Sequence, residues 1–289
     1  MVGGFGQPKS FHVFLQRPVH RDYLKGGSEV VEKLRGVAVI VSILSGPGDG
    51  ARQEVLEAAT QAGVKRFYPS TNGFTQLYRA PGKPGAYTRP LELQGELRHA
   101  HQASARCLAG EREYTFIGAG NIVDMKCNGT ITEPCWCPWT QDRASYEVSV
   151  IGTGDAPMDW SYRKDLARYT VASLAKPGLS KNTQLNVPSD TLSQNDMVEL
   201  FRKYAGAKGR TVAVRKLWMD DGHRFIANEA EAPAEIAANS GIPVDFIGRP
   251  PPLSVQEAFF KKERHWHLFP EVKKTTFEDY LKERSGELD

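Results

Sequence analysis

Residues 37–73 read VAVIVSILSGPGDGARQEVLEAATQAGVKRFYPSTNG, and this stretch decides the fold. Val37 to Leu44 is apolar and mostly β-branched, with Ser42 as its polar exception. Such a run predicts a strand buried on both faces. SGPGDG is a Gly/Pro turn. From Ala51 to Ala62 the residues Val55, Leu56, Ala58 and Ala59 share one helical face, while Arg52, Glu54 and Glu57 turn away. Gly63 falls where a helix C-cap glycine belongs. Val64 to Tyr68 predicts a second strand, stopped by Pro69. Strand, turn, helix and strand within about thirty residues make a βαβ unit with parallel strands and a right-handed crossover. In open sheets of this kind a ligand lies beyond the carboxyl ends of the strands. That places Ser42, Ser70, Asn72 and Phe74 on the rim of a site.

Outward from this unit the pattern continues. Ser28 to Leu34, SEVVEKL, predicts a helix with Ser28 as N-cap and Val30, Val31 and Leu34 on its apolar face. On the other side, the polar Gly/Pro-rich stretch 71–90 predicts a loop over the strand ends, followed by a helix from Leu91 to Leu108. Glu113 to Gly118 predicts a strand, Asp165 to Leu174 a helix, Gln184 to Val187 a strand, Ser193 to Tyr204 a helix and Val212 to Val214 a short strand. ITEPCWCPW (131–139) reads as an apolar flap or buried loop, and DAPMDWSY (155–162) as a further loop over the rim. Past Trp218 the chain turns irregular, and FFKKERHWHLF (259–269) reads as an amphipathic lid or packing face.

The segment AGVKRF-x-PS (62–70), with the preceding VSIL and the following NGF, resembles the NmrA-like and isoflavone-reductase-like proteins, atypical relatives of the short-chain dehydrogenases. EYTFIGAGNIVDM (113–125), WSYRKDLARYTVASLAKP (160–177), the stretch 185–214 and TTFEDYL (275–281) resemble the same family. The resemblance implies an α/β fold: a Rossmann-like parallel sheet with helices on both faces, shortened at the N-terminus, plus a smaller C-terminal substrate lobe. Residues 1–150 would form a truncated dinucleotide-binding-like domain, and 151–289 would complete the sheet and form the lobe.

The resemblance also implies NADPH as cofactor, with binding weakened or lost. Such proteins open with a strand, a glycine turn and a helix. Here MVGGFGQPKS runs straight into FHVFLQRP. Gly3, Gly4 and Gly6 read either as a remnant of the phosphate loop or as an N-terminal tail. Arg17 matches an arginine that faces the cofactor's 2′-phosphate in relatives preferring NADPH, a role suited to a guanidinium fork. A solvated strand-end arginine is the alternative. A central strand cannot be deleted while its flanks stay apart, because rows of buried N–H and C=O groups would lose partners. Phe11 to Gln16 is therefore expected beside Val37 to Leu44 in parallel. Asn121 stands where the family's pocket residues begin, as a hydrogen-bonding residue or as a turn-forming one.

Composition narrows the partners. With 37 basic and 34 acidic residues the net charge is +3, too small to argue for nucleic acid. No apolar run approaches the roughly twenty residues of a membrane span, and the first residues lack a signal peptide's apolar core, so a cytoplasmic protein is expected. Cys107, Cys127, Cys135 and Cys137 lack paired metal-ligand spacing and read as free thiols. No metal is expected. The partner is a small-molecule substrate, with the oligomeric state left open.

The reductases place a lysine at the start of the helix after the long loop, where it donates or orients a proton. No lysine occurs between Lys83 and Lys126 here. A general acid must reach its substrate, and Tyr87, His99, Tyr162 and Asp124 are the candidates. Three readings of function follow. The first is an NAD(P)H-dependent oxidoreductase reducing a small, largely apolar metabolite in secondary metabolism. The second is a non-catalytic NAD(P)-sensing or partner-binding regulator. The third is a cofactor-independent isomerase or cyclase using the same pocket.

Overall fold

The computed structural model describes residues 27–43, 52–69, 113–124, 144–218, 220, 221, 224, 228–231 and 263–286. Helix α1 (Gly27–Leu34) leads through Gly36, at φ +76°, into β1 (Val39–Val41). Helix α2 (Arg52–Gln61) and β2 (Arg66–Tyr68) follow, and β1 and β2 pair in parallel with Ile40 opposite Phe67. Gly63 ends α2 as its position predicts. Its φ is +79°, its N–H donates to Thr60 O at 3.1 Å, and the N–H of Val64 donates to Ala59 O at 3.0 Å. That bond pair is a Schellman motif, which needs the left-handed residue that glycine supplies without a Cβ penalty.

Strands β3 (Glu113–Gly118) and β7 (Thr183–Asn186) extend the sheet in the order β1-β2-β3-β7, every pairing parallel. Side chains alternate between its faces. Ile40 and Phe67 pack with Leu56, Ala59 and Leu34 of α2 and α1. Val39 and Tyr68 pack on the opposite face with Leu166, Tyr169 and Ala172 of α3 (Arg163–Ala175). The strand expected to be buried on both faces is less covered than that: β1 ends the described sheet order, Val39 and Ile40 are half-buried, and Val41 and Ile43 are 38% and 69% exposed.

At the opposite end of the strands Arg66, only 6% exposed, sits in an ion pair with Glu113. Its Nε donates to Glu113 Oε2 at 2.6 Å and its Nη1 to Ser180 Oγ at 3.1 Å, the latter on the short helix α4 (Pro177–Ser180). Burial pushes the Glu113 carboxyl up, but hydrogen bonds from Lys181 and Arg66 outweigh it and hold the pKa below the ordinary value.

The C-terminal part builds a second core. Strand β4 (Asn121–Ile122) pairs in parallel with β6 (Met158–Ser161), and β6 pairs antiparallel with β8 (Asp190–Leu192). Trp160 and Met158 meet Met197 and Phe201 of α5 (Gln194–Gly206) and Phe277, Tyr280 and Leu281 of α6 (Phe277–Gly286). Helix α5 starts with a capping box in which Ser193 and Asp196 exchange bonds. Strands β5 (Ser145–Ile151) and β9 (Thr211–Leu217) form a separate parallel pair.

Several expectations are corrected. The loop predicted at 155–162 contains β6, all of it buried. Met-Asp-Trp-Ser alternates apolar and polar residues, the signature of a strand. Strands β5 and β8 have no counterpart in the sequence reading, and β9 is longer than Val212–Val214. Helix α1 begins at Gly27, so Ser28 lies in its first turn instead of preceding it. Helix α3 begins at Arg163, ahead of Asp165. In 259–269 the described residues form a short 3₁₀ turn at Trp266–Leu268, with Phe269 fully buried, so this part is a packing face. The helix at 91–108, the loop at 71–90, the flap at 131–139, the four cysteines and the pairing of Phe11–Gln16 lie outside the described residues.

Candidate functional site

The carboxyl ends of β1, β2 and β3 form a stepped ledge: β1 and β2 end in register, Val41 opposite Tyr68, and β3 runs on to Gly118. At β1 the N–H of Ser42 donates to Tyr68 O at 2.8 Å, extending the parallel ladder beyond the strand, and Ser42 is buried. At β3 the chain turns through Ala119 and Gly120 into β4. A Cβ on Gly120 would stand 2.1 Å from the carbonyl oxygen of Asp159 and 2.6 Å from the N of Trp160. Only glycine lets this turn lie against the β6 backbone. The Gly120 N–H donates to Ser161 Oγ at 2.8 Å, and the N–H of Val123 donates to Ser161 O at 3.0 Å. Ser161 thus holds the turn that carries Asn121.

Asp124 and Tyr162 meet at the start of α3. Tyr162 is the N-cap residue but its side chain makes no cap bond. The Asp124 carboxylate takes that role instead: Oδ1 accepts from the N–H of Arg163 at 2.9 Å, and Oδ2 pairs with Arg163 Nε at 3.2 Å. A carboxylate suits a helix N-terminus, where backbone N–H groups lack partners. The Tyr162 N–H donates to Ser189 Oγ at 3.0 Å, its ring lies 5.7 Å from that of Tyr280, and its hydroxyl donates to Glu283 Oε2 at 3.5 Å. The Tyr162 ring and hydroxyl are thus engaged with the C-terminal helix α6, and Asp124 with the start of α3.

Behind this wall the buried Asp159 and Asp165 and the half-buried Asp190 are partnered. Asp159 accepts from Arg264 Nη2 and from Thr191 Oγ1, each at 2.7 Å. Asp165 accepts from the Thr275 N–H at 2.6 Å, and Asp190 from the Phe277 N–H at 2.9 Å. Lys274 lies over the Trp266 ring, 3.3 Å from its centroid. Burial first, then the Arg264 charge, lower its pKa against the opposing pull of Asp190 and Asp165. A recess bounded by Trp160, Tyr162, Asp190, Phe277 and Tyr280 opens beside these groups. It encloses about 180 Å³ with its mouth, below the roughly 300–1,000 Å³ of a usual ligand cleft.

Of the expected site residues, Asp124 and Tyr162 stand at the start of α3, Asn121 opens β4 after the Gly120 turn, and Ser42 follows the end of β1. Gly3, Gly4, Gly6, Arg17, Ser70, Asn72, Phe74, Tyr87 and His99 lie outside the described residues. Sequence reasoning missed Gly120, Ser161 and Ser189. The alternation in Met158–Ser161 was the signal that would have placed Ser161 on a strand. Among the described residues no group of three or more His, Cys, Asp or Glu is arranged to hold a metal ion, and no helix is long and apolar enough to cross a membrane.

A parallel sheet covered by helices on both faces, with its ledge at the carboxyl strand ends, is a Rossmann-like α/β fold. The chain belongs to the NmrA-like family, whose model matches residues 24–221. It is 26% identical over 186 residues to isoeugenol synthase 1 of Clarkia breweri, covering 64% of this chain and 54% of that one. It is 25% identical over 268 residues to phenylcoumaran benzylic ether reductase Pyrc5 of Pyrus communis, covering 87% and 76%. Among solved structures, AtPrR2 with NADP⁺ and (+)pinoresinol superposes with a TM-score of 0.62 at 19% identity, covering 89% of this chain and 78% of that one.

Proposed function

We propose that this protein is an NADPH-dependent reductase of a small, largely apolar metabolite, a tailoring enzyme of secondary metabolism working in the cytoplasm. The observation that carries the reading is the ledge: β1 and β2 end in register, β3 runs on to Gly118, and the turn at Gly120 leads from it to Asn121. A nicotinamide cofactor along this edge would meet Ser42, Ser70, Asn72, Phe74 and Asn121, with Arg17 and the glycines at 3, 4 and 6 toward its phosphates. The bound cofactor supplies the hydride, and the protein's share is to hold and orient it and to exclude water. AtPrR2, solved with NADP⁺ and (+)pinoresinol, and the phenylcoumaran benzylic ether reductase support the cofactor and an aromatic substrate class.

A second reading is favoured by specific observations. No lysine lies between Lys83 and Lys126, and the Asp124 carboxylate caps α3 while the Tyr162 hydroxyl faces Glu283. These fit a non-catalytic protein that senses NAD(P) or binds a partner. Calorimetric titration with NADPH, NADH and NADP⁺, followed by NADPH consumption against pinoresinol-type substrates, separates the two. Binding with turnover supports the reductase, binding without turnover the sensor. Absence of binding rejects the reductase and the NAD(P) sensor, and leaves a partner-binding protein or a cofactor-independent isomerase or cyclase.

A further inference from the structure

Strand β7 ends the four-stranded order, and at Asn186 its edge is met by a residue from far along the chain. The backbone N–H of His265 donates to Asn186 O at 2.9 Å. In return the backbone N–H of Asn186 donates to Nδ1 of His265 at 3.0 Å. An imidazole nitrogen thus stands where the carbonyl of a neighbouring strand would stand. A ring nitrogen accepts such a bond only while it carries no proton, so the neutral ring holds its hydrogen on Nε2.

The contact is the first of a series. Next along the chain, Trp266 Nε1 donates to Pro188 O at 2.5 Å, and Phe269 is fully buried against the β7 face of the core. The connection 187–189 beneath is part of the wall described above. The N–H of Val187 donates to Gly118 O at 2.9 Å, that of Ser189 donates to Trp160 O at 2.7 Å, and Ser189 Oγ receives the Tyr162 N–H. Residues 263–269 therefore form a strap that backs the segment joining the sheet to the ledge.

We propose that His265 is a proton-operated clasp on this strap: a proton on Nδ1 replaces the acceptor with a second donor facing the Asn186 N–H, and the strap releases the end of β7. The charged groups acting on the ring come from its own segment. Glu263 favours the proton, and His267, whose ring centroid is 6.5 Å away, opposes it. From β7 the ring meets Asn186, whose amide oxygen accepts from Gln184 Nε2 at 3.0 Å, and neither side chain titrates. The Asn186 backbone also favours the proton, by a hydrogen bond to the ring, but burial opposes the proton most strongly and holds the ring below the usual histidine value. The sign follows. The clasp is fully closed above the unfolded-state value of about 6.5 and is lost as the pH falls through the lowered folded-state value.

The test is hydrogen–deuterium exchange at the Asn186 amide by NMR, with the intrinsic pH dependence of exchange divided out. In the unaltered protein the protection should fall between about pH 7.5 and 5, by up to about ten-fold for each unit by which the folded ring's value lies below the free one. His265→Asn places an acceptor near Nδ1 that does not titrate, and its protection should stay level over that range. Unchanged protection in the unaltered protein, or an equal fall in both, overturns the clasp. A second measurement needs no variant. Ring-nitrogen shifts at about pH 7.5 should report the Nε2–H tautomer, and an Nδ1–H tautomer rejects the proposal.

Discussion

The backbone N–H of Gly120 donates to the hydroxyl oxygen of Ser161 at 2.8 Å, tying the turn after β3 to the last residue of β6. The bond joins the parallel sheet to the C-terminal core, and Gly120 approaches β6 so closely that no side chain fits between them. Gly120→Ala sets a methyl group against backbone on the far side, where nothing yields cheaply. It should lower stability by about 2–4 kcal/mol. Ser161→Ala should cost about 1–3 kcal/mol by leaving a buried N–H without an acceptor. Urea denaturation of both variants checks this, and a loss under about 0.5 kcal/mol for Gly120→Ala would show that the turn does not lie against β6.

Asp124 caps α3, so its replacement should act on stability before chemistry. Asp124→Ala should cost about 1 kcal/mol. Asp124→Asn keeps an oxygen acceptor for the Arg163 N–H and should retain most of the stability and any NADPH turnover. If Asp124 is instead the proton donor, Asp124→Asn will abolish turnover while the melting temperature stays put. Steady-state kinetics beside calorimetry tell the two apart.

Tyr169 is buried on α3, and among the described residues its hydroxyl has no hydrogen-bond partner. Burial, followed by the charges of Asp165 and Glu271, pushes its pKa up to about 12. The folded state thus favours the protonated phenol more than the unfolded state does. Stability is complete below the unfolded value of about 10 and is lost as the pH rises from there through about 12, by about 2–3 kcal/mol in all. Tyr169→Phe removes the orphaned hydroxyl, so it should be neutral or stabilising near neutral pH and should flatten the alkaline loss. Denaturation midpoints at about pH 8 and 11 decide it. A loss above about 1 kcal/mol at the lower pH would reveal a partner for the hydroxyl.

The cofactor preference rests on Arg17. If the protein binds a nicotinamide dinucleotide, NADPH should bind more tightly than NADH. Arg17→Ala should then erase the difference, losing about 1–3 kcal/mol of a charge-assisted contact. Calorimetry with both cofactors measures this directly, and equal affinities in the unaltered protein remove Arg17 from the role.

What the sequence determined by itself was what depends on near neighbours. The βαβ unit was readable because Val55, Leu56, Ala58 and Ala59 repeat at helical spacing, and because a φ of +79° suits Gly63, which lacks a Cβ. The strand Glu113–Gly118 was read to its boundaries, and Ser193 declared the start of α5 through a box closed within three residues. What only the tertiary structure decided was how distant segments share polar groups. Asp124 looks like a free acid in the sequence, yet it caps a helix that begins 39 residues later. Met158–Ser161, flanked by Gly, Pro and Asp, reads as a loop until β4 and β8 supply partners for its backbone. Local spacing sets which conformations are cheap. Whether a carboxylate, a hydroxyl or a ring nitrogen such as His265 Nδ1 becomes a site or a fastening depends on which unpaired N–H the fold brings to it, and that pairing has no period in the chain.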